Sequence, residues 1–194
     1  MADVRMSFPT TEEEIRRLRA GDSVVVDGHV IGLRDRTQIR IFDQGMEPPM
    51  DLTGAFLLHT APGVRKLGSG RYEPVSIGTT TSARMVRFTE PLGRDYGVRA
   101  ICGKGGLPDE AIEPMRRYGM VYFAIVGGAA ALETTQIEEI EEVAWEELMP
   151  ECLWKFRVKD FGPLTVAIDS HGTSLYHDVQ EQARKRLEEL YARL

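Results

Sequence analysis

Two short stretches of this 194-residue chain combine residue types that can hold a small anion and act on it. In Gly78-Thr79-Thr80-Thr81-Ser82-Ala83-Arg84-Met85, three consecutive threonines follow a glycine, and Arg84 stands four residues after Thr80. Buried hydroxyls need hydrogen-bond partners, and a β-branched run suits a turn or strand edge better than a helix interior. In Gly103-Lys104-Gly105-Gly106, glycines strip neighbouring bulk from a single cation. Either stretch alone reads equally as part of a site or as a bland feature, a polar loop for the first and a glycine turn for the second. Together they offer hydroxyls, exposed backbone N–H groups and two fixed cations, the inventory for holding a small polyanion.

A third basic segment lies upstream. Leu33-Arg34-Asp35-Arg36-Thr37-Gln38-Ile39-Arg40-Ile41-Phe42 crowds four ionic residues into its first eight positions. It is either the solvated start of a helix or a strand end from which Arg34 points into a site, with Asp35 orienting it or capping the next helix. His59, closing an apolar run, is either a site residue or a satisfied edge residue. Asp169-Ser170-His171 has the residue types of a hydrolase triad, but neighbours in sequence point in different directions, and no G-x-S-x-G elbow occurs. Cys102 beside Gly103-Lys104 reads as a buried strand cysteine before a thiolate lowered by the cation. His29, His59, His171 and His177 lack the HExxH or CxxC spacing of a zinc site, and the glycine turns match neither a Walker A loop nor a dinucleotide fingerprint.

Composition narrows the classes. Apolar residues at 42% and charged residues at 28% are ordinary for a globular chain. A net charge of −6 with no basic tract argues against nucleic acid. No apolar run approaches the roughly 20 residues of a membrane span, and the N-terminus lacks a signal-peptide pattern. Cys102 and Cys152 make no disulfide framework, so a reducing cytoplasm is expected.

The elements that must position these residues follow from pattern. Thr11 and Glu14 have capping-box spacing and predict a helix over Glu12–Ala20, ended at Gly21. Asp22–Gly32 reads as a β-hairpin turning at Asp27-Gly28. Asp43–Met50 is irregular because of Pro48-Pro49, and Gly54–Thr60 is a buried strand. Residues 64–75 are expected to be a basic, glycine-punctuated loop. Val98–Cys102 is a strand delivering Gly103–Gly106, a helix runs from Pro108 to about Tyr118-Gly119, and Met120–Val126 is an apolar strand covered on both faces. Gly127–Leu132 is a tight small-residue turn. Two strand ends thus carry glycine-rich turns, where α/β sheets hold ligands. Leu153–Phe161 alternates as a half-exposed strand, Leu164–Asp169 is a more buried one, and Asp178–Leu194 is a terminal helix with Val179, Ala183, Leu187, Leu190 and Leu194 on a stripe. Residues 1–194 are expected to form a single domain of α/β class, with that helix appended at about 178–194.

The order of motifs resembles one family. Gly28–Asp35 gives G-x-I-x-x-RD, Gly78–Met85 gives G-x-TT-x-x-RM, Gly103–Gly106 gives GKGG and Val126–Leu132 gives VGGAAAL. Trp154–Phe161 and Ile168–Tyr176 complete the series. Such an order is similar to the C-terminal domain, or separate β subunit, of class I (iron–sulfur) fumarases and L-tartrate dehydratases. The resemblance implies a swivelling β/β/α domain, a mixed sheet with flanking helices, and reversible hydration of a C4 dicarboxylate. Fumarate with L-malate is the first expectation and L-tartrate the alternative; a non-catalytic dicarboxylate-binding module is the rival class. It also implies a [4Fe–4S] cluster held by three cysteines of a partner α subunit, in a heterodimer or α2β2 assembly, since two cysteines here cannot supply it. Carried over residue by residue, Thr80 matches the threonine acting as base, and Arg34, Arg84 and Lys104 match residues that clamp the substrate carboxylates; as a base Thr80 would need strong activation by Lys104 or Arg84. One departure is visible: after RD the family shows a run like A-A-H, whereas this chain has Arg36-Thr37-Gln38, so Gln38 stands where a histidine is usual.

Overall fold

β-Branched and aromatic runs set the strands, and glycines in the left-handed region end two of the helices. The computed structural model describes residues 3–128 and 130–192. Among these, nine strands occur: β1 (Asp3–Phe8), β2 (Ser23–Leu33), β3 (Phe56–His59), β4 (Gly63–Lys66), β5 (Tyr72–Ser76), β6 (Ala100–Gly103), β7 (Val121–Ala124), β8 (Ile137–Ala144) and β9 (Leu153–Ile168). The α-helices are α1 (Glu12–Ile15), α2 (Asp35–Phe42), α3 (Thr89–Tyr96), α4 (Ile112–Tyr118), α5 (Ala130–Glu133) and α6 (Leu175–Tyr191). Gly97 and Gly119, at φ 63° and 61°, stop α3 and α4.

Seven strands form one mixed sheet in the order β1-β2-β3-β6-β7-β9-β8. The pairs β1–β2, β2–β3, β3–β6 and β6–β7 are parallel. β9 runs antiparallel to β7, β8 and β2. Because β9 touches both β7 and β2, the strands β2, β3, β6, β7 and β9 pair in a ring. Alternation then sorts the side chains. Phe56 and Leu58 join Val26, Phe123, Phe156 and Phe161 in one buried cluster. Leu57, Ile101 and Tyr122 join a second with Leu92 of α3 and Met115 of α4. The expected mixed sheet with flanking helices is observed.

Several local expectations need correction. Asp22–Gly32 is not a hairpin: from Ser23 on it lies in the single long strand β2. A type I′ turn needs positive φ at both central residues, and here Gly28 has it (96°) while Asp27 does not. The strand bulges instead, at the point where its neighbour changes from β1 to β3. A Cβ at 28 would overlap the Phe8 carbonyl oxygen. The Thr11/Glu14 capping box is present, but α1 ends at Ile15, after which the chain tightens into i→i−3 bonds at Arg17 and Leu18. Residues 64–75 form the β4–β5 hairpin, because their basic side chains find acidic partners: Lys66 and Tyr72 both meet Glu146, and Arg71 meets Glu139 on β8. The two strands expected at 153–161 and 164–169 are one. At its interruption, the Gln136 side-chain amide replaces the broken ladder, accepting from the Gly162 N–H and donating to the Gly162 carbonyl, both at 3.0 Å.

The terminal helix starts earlier than expected, at Leu175 behind a Ser174 cap, and Val179, Leu187 and Leu190 of its stripe are exposed. Leu194 lies outside the described residues. So does Ala129, within the turn expected at Gly127–Leu132; beyond it the chain enters α5.

Candidate active site

Arg34 follows β2 directly, His59 ends β3, Gly103 ends β6 and Gly127 lies just beyond β7. These strands are parallel, so all four positions share one carboxyl edge of the sheet, the edge at which α/β sheets receive ligands. The threonine segment is wedged between two of them. Thr80 donates its N–H to the His59 carbonyl (2.8 Å), Lys104 donates to the Thr80 carbonyl (3.1 Å), and Ser82 donates to the Lys104 carbonyl (3.0 Å). Thr79 and Thr81 make single bridges to Thr60 and Lys104. Residues 79–82 therefore act as a short inserted strand edge. Gly78 enters it at φ 59°, where a Cβ would overlap the Ala61 carbonyl.

The two arginines meet on one carboxylate. Arg84 donates from Nε to Asp35 Oδ1 (2.8 Å) and from Nη2 to Asp35 Oδ2 (2.7 Å), while Arg34 Nε reaches Oδ2 at 3.1 Å. Burial opposes ionisation of Asp35, but the Arg84 and Arg34 hydrogen bonds prevail and hold its carboxyl below its ordinary range. Asp35 thus orients the arginines; it does not cap α2, whose N-cap is Arg34, and stands instead as the first residue of that helix. Glu151 completes the group: Oε1 lies 3.9 Å from Arg34 Nε, and Oε2 accepts from the Arg36 N–H at 3.0 Å.

Thr80 and Lys104 differ from the arginines. Thr80 is 7% exposed. Among the described residues its hydroxyl has no hydrogen-bond partner, and the Lys104 ammonium has no ion-pair partner. The Lys104 stem packs where a side chain at Gly127 would sit, with Cδ 3.0 Å from a Cβ there. The structure therefore brings all four residues singled out in the sequence to one sheet edge: two cations locked on Asp35, and Thr80 and Lys104 on neighbouring segments joined by a backbone hydrogen bond.

Behind them lies a buried polar layer that sequence reasoning missed. His59 Nδ1 lies 2.9 Å from Ser82 Oγ, which also accepts from the Tyr122 phenol at 2.9 Å. Burial pushes the imidazole down to about 3; Asp35 offsets part of this and Arg84 adds to it. Gln38 is fully buried on α2, donating from Nε2 to Met85 Sδ at 3.0 Å, with Oε1 unpartnered. His59 is thus buried and not a fully satisfied edge residue, for its Nε2 has no partner among the described residues. The available signal was a histidine at a strand end facing a serine inside the threonine motif. Asp169 is structural: it accepts from the backbone of Ala20, His171 and Thr173.

Residues 1–179 match the family described as fumarase C-terminus. The chain belongs to that family. It is 40% identical to the L(+)-tartrate dehydratase subunit beta of Escherichia coli (strain K12) over 171 residues, covering 88% of this chain and 85% of that protein. It is 36% identical to the putative L(+)-tartrate dehydratase subunit beta of Methanocaldococcus jannaschii over 185 residues, 93% of this chain and 94% of that one. A putative class I fumarate hydratase of Geobacillus stearothermophilus is 35% identical over 185 residues, 95% of this chain but 35% of that protein. In this fumarase C-terminus chain, the residues do not fit an iron–sulfur cluster. Cys102 is buried and its thiol is pushed well up, and burial raises Cys152 to about 11. No group of three metal-ligating side chains occurs among the described residues. No helix there is long and apolar enough to cross a membrane.

Proposed function

We propose that the chain is the β subunit of an iron–sulfur-dependent hydro-lyase interconverting fumarate and L-malate, and that Arg34, Arg84 and Lys104 hold the substrate carboxylate beside Thr80. The observation that carries this reading is that one sheet edge holds two guanidiniums gripped by Asp35 and, on segments hydrogen-bonded to each other there, Thr80 and Lys104. Counting Arg34, Arg84 and Lys104 against Asp35 and Glu151 leaves one net positive charge. That balance suits one carboxylate of a dicarboxylate and leaves the other to the partner.

The chemistry assigned to this half follows. Removing a proton from the carbon next to a carboxylate builds negative charge on that carboxylate, and preplaced cations stabilise it in the transition state. In this reading Thr80 acts as its alkoxide, takes the carbon-bound proton and becomes the hydroxyl. A threonine alkoxide is costly, so the role requires the positive charge of Lys104 at its side. The [4Fe–4S] cluster belongs to a cluster-bearing α subunit, in a heterodimer or α2β2 assembly; the β-subunit names of the E. coli and M. jannaschii relatives support such a partner. Two unpaired buried thiols suit a reducing cytoplasm. A second reading, with L-tartrate as substrate, is favoured by those same names.

Thr80→Ala and Arg84→Ala in the assembled enzyme separate the roles. A base should lower kcat by about 10²–10⁴-fold, whereas a carboxylate clamp should chiefly raise KM. Unchanged kcat in Thr80→Ala removes it from proton transfer. The chain alone is expected to be inactive.

A further inference from the structure

Behind Thr80 and Lys104 runs a line of buried groups that the proposed chemistry does not use. Tyr122 of β7, Ser82 and His59 of β3 are 0%, 0% and 1% exposed. The Tyr122 phenol donates to Ser82 Oγ, which faces His59 Nδ1, each at 2.9 Å. The Gly106 backbone amide acts on the same phenol. The line thus spans the glycine turn, β7, the threonine segment and the end of β3. Burial keeps the phenol protonated and the imidazole neutral. A phenol that keeps its proton donates it; the serine that accepts it gives its own to His59 Nδ1. The remaining imidazole hydrogen then lies on Nε2, the atom buried without a partner.

The backbone is shaped around this line. A Cβ at Gly103 would overlap Ser82 Oγ and come within 3.0 Å of the Thr80 carbonyl oxygen, so glycine there lets the serine reach both partners. Thr80 lies two residues before Ser82, and Lys104 bonds the backbone of both.

We propose that Tyr122, Ser82 and His59 are positioning residues, whose uncharged hydrogen-bond line seats residues 79–82 between β3 and β6 and so sets where Thr80 and Lys104 face the substrate. The inference rests on the reading of Thr80 and Lys104 as site residues. Arg84 has its own tether in Asp35, so losing the line displaces Thr80 and Lys104 and spares the arginine clamp.

Tyr122→Phe removes the phenol donor without opening a cavity, and Ser82→Ala breaks the line at its centre. In the enzyme assembled with its cluster-bearing partner, each should lower kcat about 10- to 100-fold with KM within roughly threefold. The double variant should be no slower than Ser82→Ala alone, since both cut one line. Equal kcat in folded variants overturns the proposal. Nuclear magnetic resonance on the chain alone reads the same line without catalysis. The His59 nitrogens should report the Nε2–H tautomer without titrating between pH 5 and about 8. Amide signals of Thr80 and Lys104 should shift in Tyr122→Phe while those of α6 stay. A His59 that titrates near its ordinary 6.5, or unshifted Thr80 and Lys104 signals, overturns it. A wild-type pair that hydrates no dicarboxylate, with these signals as expected, sinks the functional reading and leaves the line standing.

Discussion

Arg84 lays two edges of its guanidinium on both oxygens of Asp35, at 2.8 and 2.7 Å, across a separation of 49 residues. Bidentate pairing fixes direction as well as distance. Asp35 also holds Arg34, so one carboxylate aims two cations at the same sheet edge.

Asp35→Asn should therefore disorder the clamp. Charge-assisted hydrogen bonds contribute about 1.5–3 kcal/mol each, which predicts KM raised about tenfold or more, with kcat changed less. The substitution also removes a negative charge beside an anion, which would lower KM. With Arg84 partly exposed and screened, loss of orientation should win. Steady-state kinetics decides, and a lowered KM would mean that Asp35 only dampens the field.

The buried imidazole predicts a pH signature. His59 binds its proton near 6.5 when unfolded and near 3 when folded. Between those values the unfolded state holds more protons, so stability rises with pH by up to about 1.4 kcal/mol per unit and is lost as pH falls. The depressed Asp35 acts in a lower window, its contribution being present above 3.8 and lost on further acidification. Denaturant unfolding of wild type and His59→Gln from pH 7 to about 4.5 isolates the first effect. Curves that stay parallel would refute a neutral buried His59.

Gly103→Ala should cost about 1–3 kcal/mol through overpacking, and should slow the reaction by moving Thr80. Gly63→Ala is the control, because a Cβ there meets nothing closer than 3.7 Å. Thermal melts that show equal losses in the two variants would contradict the tight fit at 103.

Gln38→Met removes a buried carbonyl oxygen that has no partner among the described residues, at the loss of one N–H···S contact. An unsatisfied buried group costs roughly 1–3 kcal/mol, so the variant should be about 1 kcal/mol more stable. Urea midpoints test this. A destabilised variant would show that the Gln38 oxygen is satisfied in solution.

That Arg34, Arg84 and Lys104 would share one sheet edge was legible in the sequence because they are chemically conspicuous, adjoining glycines, threonines or an aspartate at strand ends. The layer behind it was not. Ser82, His59 and Tyr122 lie on three separate segments, and only folding gives Ser82 two partners. Glu151 escaped notice for the same reason, being far in sequence from Arg34. Errors in the fold came from local signals overruled by distant pairing. Asp27-Gly28 has turn chemistry, yet β9 holds both sides of it in one strand. Gly162-Pro163 resembles a break, yet Gln136 bridges it. Residues 64–75 lack a strand pattern because their charges are neutralised by acidic residues some seventy positions away.

The central claim is that this chain carries one half of a hydro-lyase site and its partner the other. Co-expression with the cluster-bearing subunit, anaerobic cluster reconstitution and continuous recording of fumarate absorbance test it most directly, with L-malate and L-tartrate supplied in parallel. The account predicts turnover of a C4 dicarboxylate by the pair, none by either chain alone, and loss of turnover in Thr80→Ala. A reconstituted, cluster-loaded pair that converts none of these substrates would contradict it.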